Sequence, residues 1–209
     1  MAEAGGPPAR AAESPLGAAA LTEALLAVVR ARGYERRDEP FVLSSGGISH
    51  DYVDLRRAVA RGPDLLLAAE AVLAHLDELG WDFDAIGGMT MGADPVAHVC
   101  AVLSGRAWYS VRKAEKEHGT GRRIEGAPID ERARAVVFED TVSTGRSLLE
   151  ALDVVEATGA TVVGAVTILD RGDEARAALA ARKVTYHPLL TYTDLGIAPL
   201  GGSEATTAP

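Results

Sequence analysis

The chain has 209 residues, 47% of them hydrophobic, which is enough to bury one sizeable core and too few for two large domains. Its 30 acidic against 21 basic residues give a net charge of −9, which argues against a general nucleic-acid surface but leaves room for a local basic patch facing a phosphorylated small molecule. A single cysteine excludes an intrachain disulfide, and no Cys/His cluster has zinc spacing, so no metal-ligating residues are assigned.

Met1 to Pro15, rich in Ala, Gly and Pro, reads as a disordered N-terminal tail, residues 1–15. A helix follows over Leu16 to Val29. It carries Glu23 and is preceded by Glu3 and Glu13 instead of a basic cluster, a poor fit to a secretory signal. With no uncharged run of membrane-spanning length, a cytoplasmic protein with no membrane partner is expected. Phe41-Val42-Leu43 and Tyr52-Val53-Asp54 read as short strands around Ser44-Ser45-Gly46-Gly47, so residues 16–62 form a helix and a small hood.

From Pro63 the chain alternates: helix Pro63 to Leu79, strand Asp84 to Gly87, helix Ala93 to Leu103, strand Ala107 to Val111, then a polar loop Arg112 to Pro128. Strand Ala135 to Phe138, helix Arg146 to Ala157, strand Thr161 to Leu169, helix Asp173 to Ala181 and strand Val184 to Leu190 complete a core over residues 63–195. This order predicts an α/β fold with a mostly parallel sheet covered on both faces, followed by a flexible tail over residues 196–209. Cys100 lies in the apolar run Val96 to Leu103 as a buried inert thiol, and His98 beside it as a helix-face residue.

Val136-Val137-Phe138-Glu139-Asp140-Thr141-Val142-Ser143-Thr144-Gly145-Arg146-Ser147 carries the most chemistry. A buried parallel strand delivers Glu139 and Asp140 to its carboxyl end, where open α/β sheets bind ligands. The next turn offers an anion the unsatisfied N–H groups of a helix start and the hydroxyls of Thr141, Ser143, Thr144 and Ser147, with Gly145 for close approach. Acids would repel a phosphate, so Glu139 and Asp140 either accept from sugar hydroxyls or face a magnesium-bound region. The bland alternative is a solvated acidic turn.

Ile86 to Gly92 also joins a strand to a helix, but Ala93-Asp94 stands where a nucleoside-triphosphatase loop needs Lys and Ser/Thr, so by itself it reads as a tight turn. Arg112, Lys113, Lys116, His118, Arg122 and Arg123 crowd one segment, either a solvated loop or a lid that clamps pyrophosphate. Arg171 ends a strand at the same edge; its alternatives are a salt bridge to a helix and an acidic substrate.

Taken together, these segments resemble orotate phosphoribosyltransferases, a branch of the type I phosphoribosyltransferase fold, over about Leu21 to Leu195. Phe41 to Gly46 with Ser49 and Tyr52 to Arg56 is similar to the family's orotate-side hood, Met89 to Pro95 to its pyrophosphate loop, Arg112 to Gly119 to its flexible catalytic loop, and Val136 to Ser147 to its 5-phosphoribosyl 1-diphosphate (PRPP) motif. The resemblance implies transfer of ribose 5-phosphate from PRPP to N1 of orotate, with Mg2+ bound mainly through PRPP and pyrophosphate. It implies Lys116, His118 and Asp140 as catalytic residues. PRPP would be bound by Arg112, Lys113, Lys116, His118, Glu139, Asp140 and the turn Thr141, Val142, Ser143, Thr144, Gly145, Arg146 and Ser147, and orotate by Ser143, Arg171 and Tyr52. It also implies a homodimer whose loop reaches the neighbouring subunit's site.

Ser44 and Gly92 stand where some members carry Lys, Glu139 where Asp is commoner, and Arg146 where small residues are frequent. The rivals are a phosphoribosyltransferase for another base, against which the hood and Arg171 count, and a PRPP-sensing regulator that binds nucleic acid, against which the net charge of −9 counts.

Overall fold

Near-continuous apolar runs on the central strands bury both faces of a six-stranded sheet in the order β5-β4-β3-β6-β7-β8. The computed structural model describes residues 16–42, 48–114 and 123–200. The sheet consists of β3 (Ala85–Met89), β4 (Ala107–Val111), β5 (Ile124–Gly126), β6 (Arg134–Val142), β7 (Thr161–Asp170) and β8 (Tyr186–Thr191). All neighbours pair in parallel except β4 and β5. Ahead of it stand α1 (Ala18–Val28), a π-helical turn (Val29–Gly33), the antiparallel pair β1 (Tyr34–Val42) and β2 (Ile48–Val53), and α2 (Leu55–Ala58). The remaining helices are α3 (Gly62–Glu78), α4 (Asp94–Ser104), α5 (Arg146–Glu156), α6 (Glu174–Ala181) and α7 (Tyr192–Leu195).

On β6, Val136 and Phe138 point to one face and Ala135 and Val137 to the other, all fully buried. The first pair packs with Leu21, Leu25, Val72, Leu76, Val96 and Cys100, so α1 shares one core with α3 and α4. The second pair packs with Leu148, Leu152, Val155 and Leu179 of α5 and α6. Among the described residues no helix is long and apolar enough to cross a membrane.

Three expectations need correction. The polar loop is interrupted by β5, an edge strand that pairs Ile124 with Val111 and Gly126 with Tyr109 and is too short to leave a periodic pattern. β1 begins at Tyr34, because Tyr34, Glu35 and Arg36 pair with Val53, Tyr52 and Asp51 of β2 before the register shifts ahead of Phe41. β6 continues to Val142, so Glu139 and Asp140 lie within the strand, held there by β7 through Glu139 opposite Thr167 and Thr141 opposite Leu169. Residues 196–200 follow α7, where Leu200 N donates to Arg171 O at 2.7 Å.

The strand order reverses between β3 and β6, since the chain goes from β3 outward to β4 and then returns to the other side of β3. Such a switch point opens a crevice at the carboxyl ends of the two strands.

Candidate active site

A cleft of ≈ 580 Å³ occupies that crevice, lined by Tyr52 to Arg56 of the hood, the turn Met89 to Gly92, Lys113, Glu139 to Thr141 and Ser147. Its floor is the acid pair. Glu139 is 5% exposed, and its Oε2 has no hydrogen-bond partner among the described residues. Burial first, then the charge of Asp140, push the Glu139 carboxyl well above the usual range. Burial also raises Asp140, against the Thr141 N–H that donates to its Oδ1 at 2.7 Å. The strand beneath is held by Thr167, whose Oγ1 donates to Glu139 O at 2.8 Å.

Gly92 closes the turn over these acids. A Cβ there would lie 2.6 Å from Glu139 Oε1 and 2.8 Å from Asp140 Oδ1, so no larger residue fits without moving them. The turn itself is fixed through Asp94, whose carboxylate accepts from Thr90 Oγ1 at 2.6 Å and from Ser110 Oγ at 2.7 Å. On the other side, Gly145 takes φ +79 at the start of α5, a left-handed conformation that aims the helix N-terminus at the cleft without a side-chain cap.

The described base of the polar loop is pinned by Arg123. Its guanidinium donates to Arg112 O at 2.7 and 3.0 Å and to Lys113 O at 3.2 Å, and pairs with Glu150 of α5 at 2.5 Å. Lys113 therefore reaches the cleft, while Arg112 turns toward Glu125 at 3.4 Å.

In the hood, Tyr52 stacks on Phe41 with ring centroids 5.0 Å apart. Asp51 accepts from Tyr34 Oη at 2.7 Å and Arg36 Nη1 at 2.8 Å. Burial raises its carboxyl, but these hydrogen bonds prevail and hold it below the usual range. Arg171 sits beneath, 3% exposed, with Nη2 donating to Asp51 O at 3.3 Å and Nε without a partner among the described residues. Burial lowers its pKa, opposed by the Asp51 charge.

Of the residues expected at the site, Tyr52, Lys113, Glu139, Asp140, Thr141 and Ser147 line the cleft together. Val142 is buried, its carbonyl accepting from Arg171 N at 2.7 Å. Ser143 is half-buried, Gly145 is buried, and Thr144 and Arg146 are exposed at the rim of the same turn. Arg112 and Arg171 stand outside the lining, and Lys116, His118 and Ser44 lie outside the described residues. The sequence places Arg56 in the orotate-side hood segment and Asp94 in the pyrophosphate-loop segment without a role of its own for either, and does not single out Thr167. Only Arg56 has a local signal, the paired arginines directly after a strand.

A buried acid pair lies beside an open helix N-terminus at the switch point of a parallel sheet, and the architecture is the type I phosphoribosyltransferase fold. No family model matches the chain. It is 41% identical over 157 residues to the orotate phosphoribosyltransferase of Corynebacterium glutamicum, covering 74% of this chain and 84% of that one. To the orotate phosphoribosyltransferase of Pyrococcus furiosus it is 34% identical over 155 residues, covering 74% and 85%. The crystal structure of Mycobacterium tuberculosis orotate phosphoribosyltransferase in complex with PRPP superposes with a TM-score of 0.70 at 34% identity, over 85% of this chain and 99% of that one. The chain belongs to the orotate phosphoribosyltransferase family.

Proposed function

We propose that this cleft transfers the ribose 5-phosphate of PRPP to N1 of orotate, releasing pyrophosphate and forming orotidine 5'-monophosphate for pyrimidine nucleotide synthesis. The carrying observation is that the buried Glu139–Asp140 pair, the open start of α5 and Lys113 share one cleft with the hood residue Tyr52. The turn Thr141 to Ser147 binds the 5'-phosphate through backbone N–H groups and hydroxyls. Glu139 and Asp140 hold the ribose hydroxyls. A protonated Glu139 can also donate to one of them, which suits its raised pKa.

As the C1–oxygen bond loosens, its electron pair leaves with pyrophosphate, the N1 lone pair forms the new bond, and the N1 proton passes to the departing pyrophosphate or to solvent. Positive charge grows on the ribose and negative charge on the leaving group. Lys113, with Arg112, Lys116 and His118 of the same segment, neutralises the leaving group. Arg171 and Ser143 take the orotate, whose carboxylate suits a buried guanidinium with an unused Nε, and Tyr52 stacks on its ring. Mg2+ would neutralise part of the pyrophosphate charge. The described residues offer no cluster of three or more His, Cys, Asp or Glu side chains to cage a metal, so the ion fits as one carried on substrate oxygens with Asp140 beside it. We also read the chain as a homodimer in which the part of the loop that carries Lys116 and His118 completes the neighbouring site.

The test is orotate absorbance with magnesium and PRPP. Loss of orotate is expected; no loss, alongside turnover of uracil or a purine, sinks the reading. For the shared site, Lys116→Ala subunits mixed with Asp140→Asn subunits should recover activity, and proven hybrids without recovery refute a loop acting in trans.

A further inference from the structure

Arg56 is a cation that the reaction as derived leaves unused. Asp54 caps α2 by accepting from Arg57 N at 3.0 Å, and this fixes the first turn so that Arg56, not Arg57, lines the cleft with Gly92, Lys113 and Asp140. Arg57 instead pairs with Glu35 at 3.9 Å. Arg56 and Lys113 are the basic residues of the lining among the described residues, one from the hood and one from the end of β4. The Arg56 side chain is 56% exposed, and its ion-pair partner, Asp54, stands 3.9 Å from Nε. An exposed pair of that length contributes little to folding. Its guanidinium fork is thus left to a ligand.

The neighbours say which part of the ligand. The start of α5 offers its own N–H groups to one phosphate, whereas Arg56 is near enough to Asp140 for its charge to act on that carboxyl and lines the cleft together with the turn Thr90 to Gly92 and Lys113. The geometry points to Arg56 as a ligand of the diphosphate of PRPP and of product pyrophosphate, gripping two oxygens in a fork while Lys113 supplies a point charge. This rests on the PRPP site proposed above. Asp140 gains as well, because Arg56 partly offsets the repulsion between the acids and the polyanion.

Arg56→Ala should raise KM for PRPP and the inhibition constant of pyrophosphate by about tenfold to a hundredfold, the loss of a hydrogen-bonded charge pair, with orotate KM unchanged. Arg56→Lys should recover part of this, and Arg57→Ala should match wild type. Unchanged PRPP and pyrophosphate constants, a rise in orotate KM alone, or equal losses for both substrates would each overturn the assignment. If Arg56→Ala fails to fold, phenylglyoxal labelling of the wild type decides: magnesium pyrophosphate should protect Arg56 and orotate should not, and labelling at equal rates refutes the contact. Calorimetry with magnesium pyrophosphate separates the two levels. A wild type that does not bind it overturns the site itself; a wild type that binds it no better than Arg56→Ala overturns only the role of Arg56.

Discussion

Gly92→Ala tests whether the acid pair is held by the turn above it. The added Cβ would sit 2.6 Å from Glu139 Oε1 and 2.8 Å from Asp140 Oδ1, against about 3.3 Å for an ordinary carbon–oxygen contact. The two oxygens must therefore retreat by about 0.5–0.7 Å. Both are ends of side chains, so the backbone can stay in place. Gly→Ala also removes unfolded-state entropy, about 0.4–1 kcal/mol in favour of folding where the conformation is compatible. Stability should consequently change by less than about 1 kcal/mol. Activity should not be spared, because a displacement of about 1 Å at reacting groups costs on the order of a hundredfold. A fall of about tenfold to a hundredfold in kcat/KM for PRPP is expected, read from initial rates of orotate depletion beside a thermal melt. Adding Glu139→Asp, one methylene shorter, should restore part of it. Wild-type kcat/KM in a folded Gly92→Ala protein would refute the reasoning, as would a stability loss above about 3 kcal/mol, which would mean the backbone moves instead.

Glu139 has a folded pKa above its reference of 4.5, so below 4.5 it is protonated folded or unfolded, and above it the unfolded chain ionises first. Stability is lost as pH rises through that window; Glu139→Gln should raise Tm at pH 8 more than at pH 5, and an equal shift at both refutes it. His75 runs the other way: burial and then His187, 5.8 Å away, lower its pKa from 6.5, against a smaller pull from Glu78. Its neutral form is favoured in the fold, so stability present above pH 6.5 falls away on acidification, and His75→Phe should flatten Tm between pH 5 and 7; an unchanged slope counts against it. Arg171→Ala should weaken orotate selectively, whereas equal losses for both substrates would mean that it serves only the hood through Asp51.

What could be read from the sequence is what neighbouring residues decide among themselves. Val136 to Phe138 announces a buried strand because each residue is apolar, and the hydroxyls after Asp140 announce an anion site because they are consecutive. β6 runs on through Glu139 to Val142 only because β7 pairs with it, and no pattern within that stretch says so. The same limit separates the two arginines that matter most in the cleft region. Arg171 was found as the residue at a strand end, but its surroundings depend on Asp51, 120 positions away, whose carbonyl meets it and whose carboxylate is itself held by Tyr34 and Arg36. Arg56 stands in plain view beside Arg57, and their residue type does not distinguish them. The Asp54 cap does, by setting which of the two faces Asp140. Gly92 shows the converse. Read as a missing cation, it marks a weaker grip on phosphate; placed against Glu139 and Asp140, it is the residue whose lack of a side chain leaves room for two carboxylates to be buried side by side. The glycine at position 92 and the cation at Arg56 are then two parts of one arrangement around Asp140, for which the first leaves room and on whose charge the second acts.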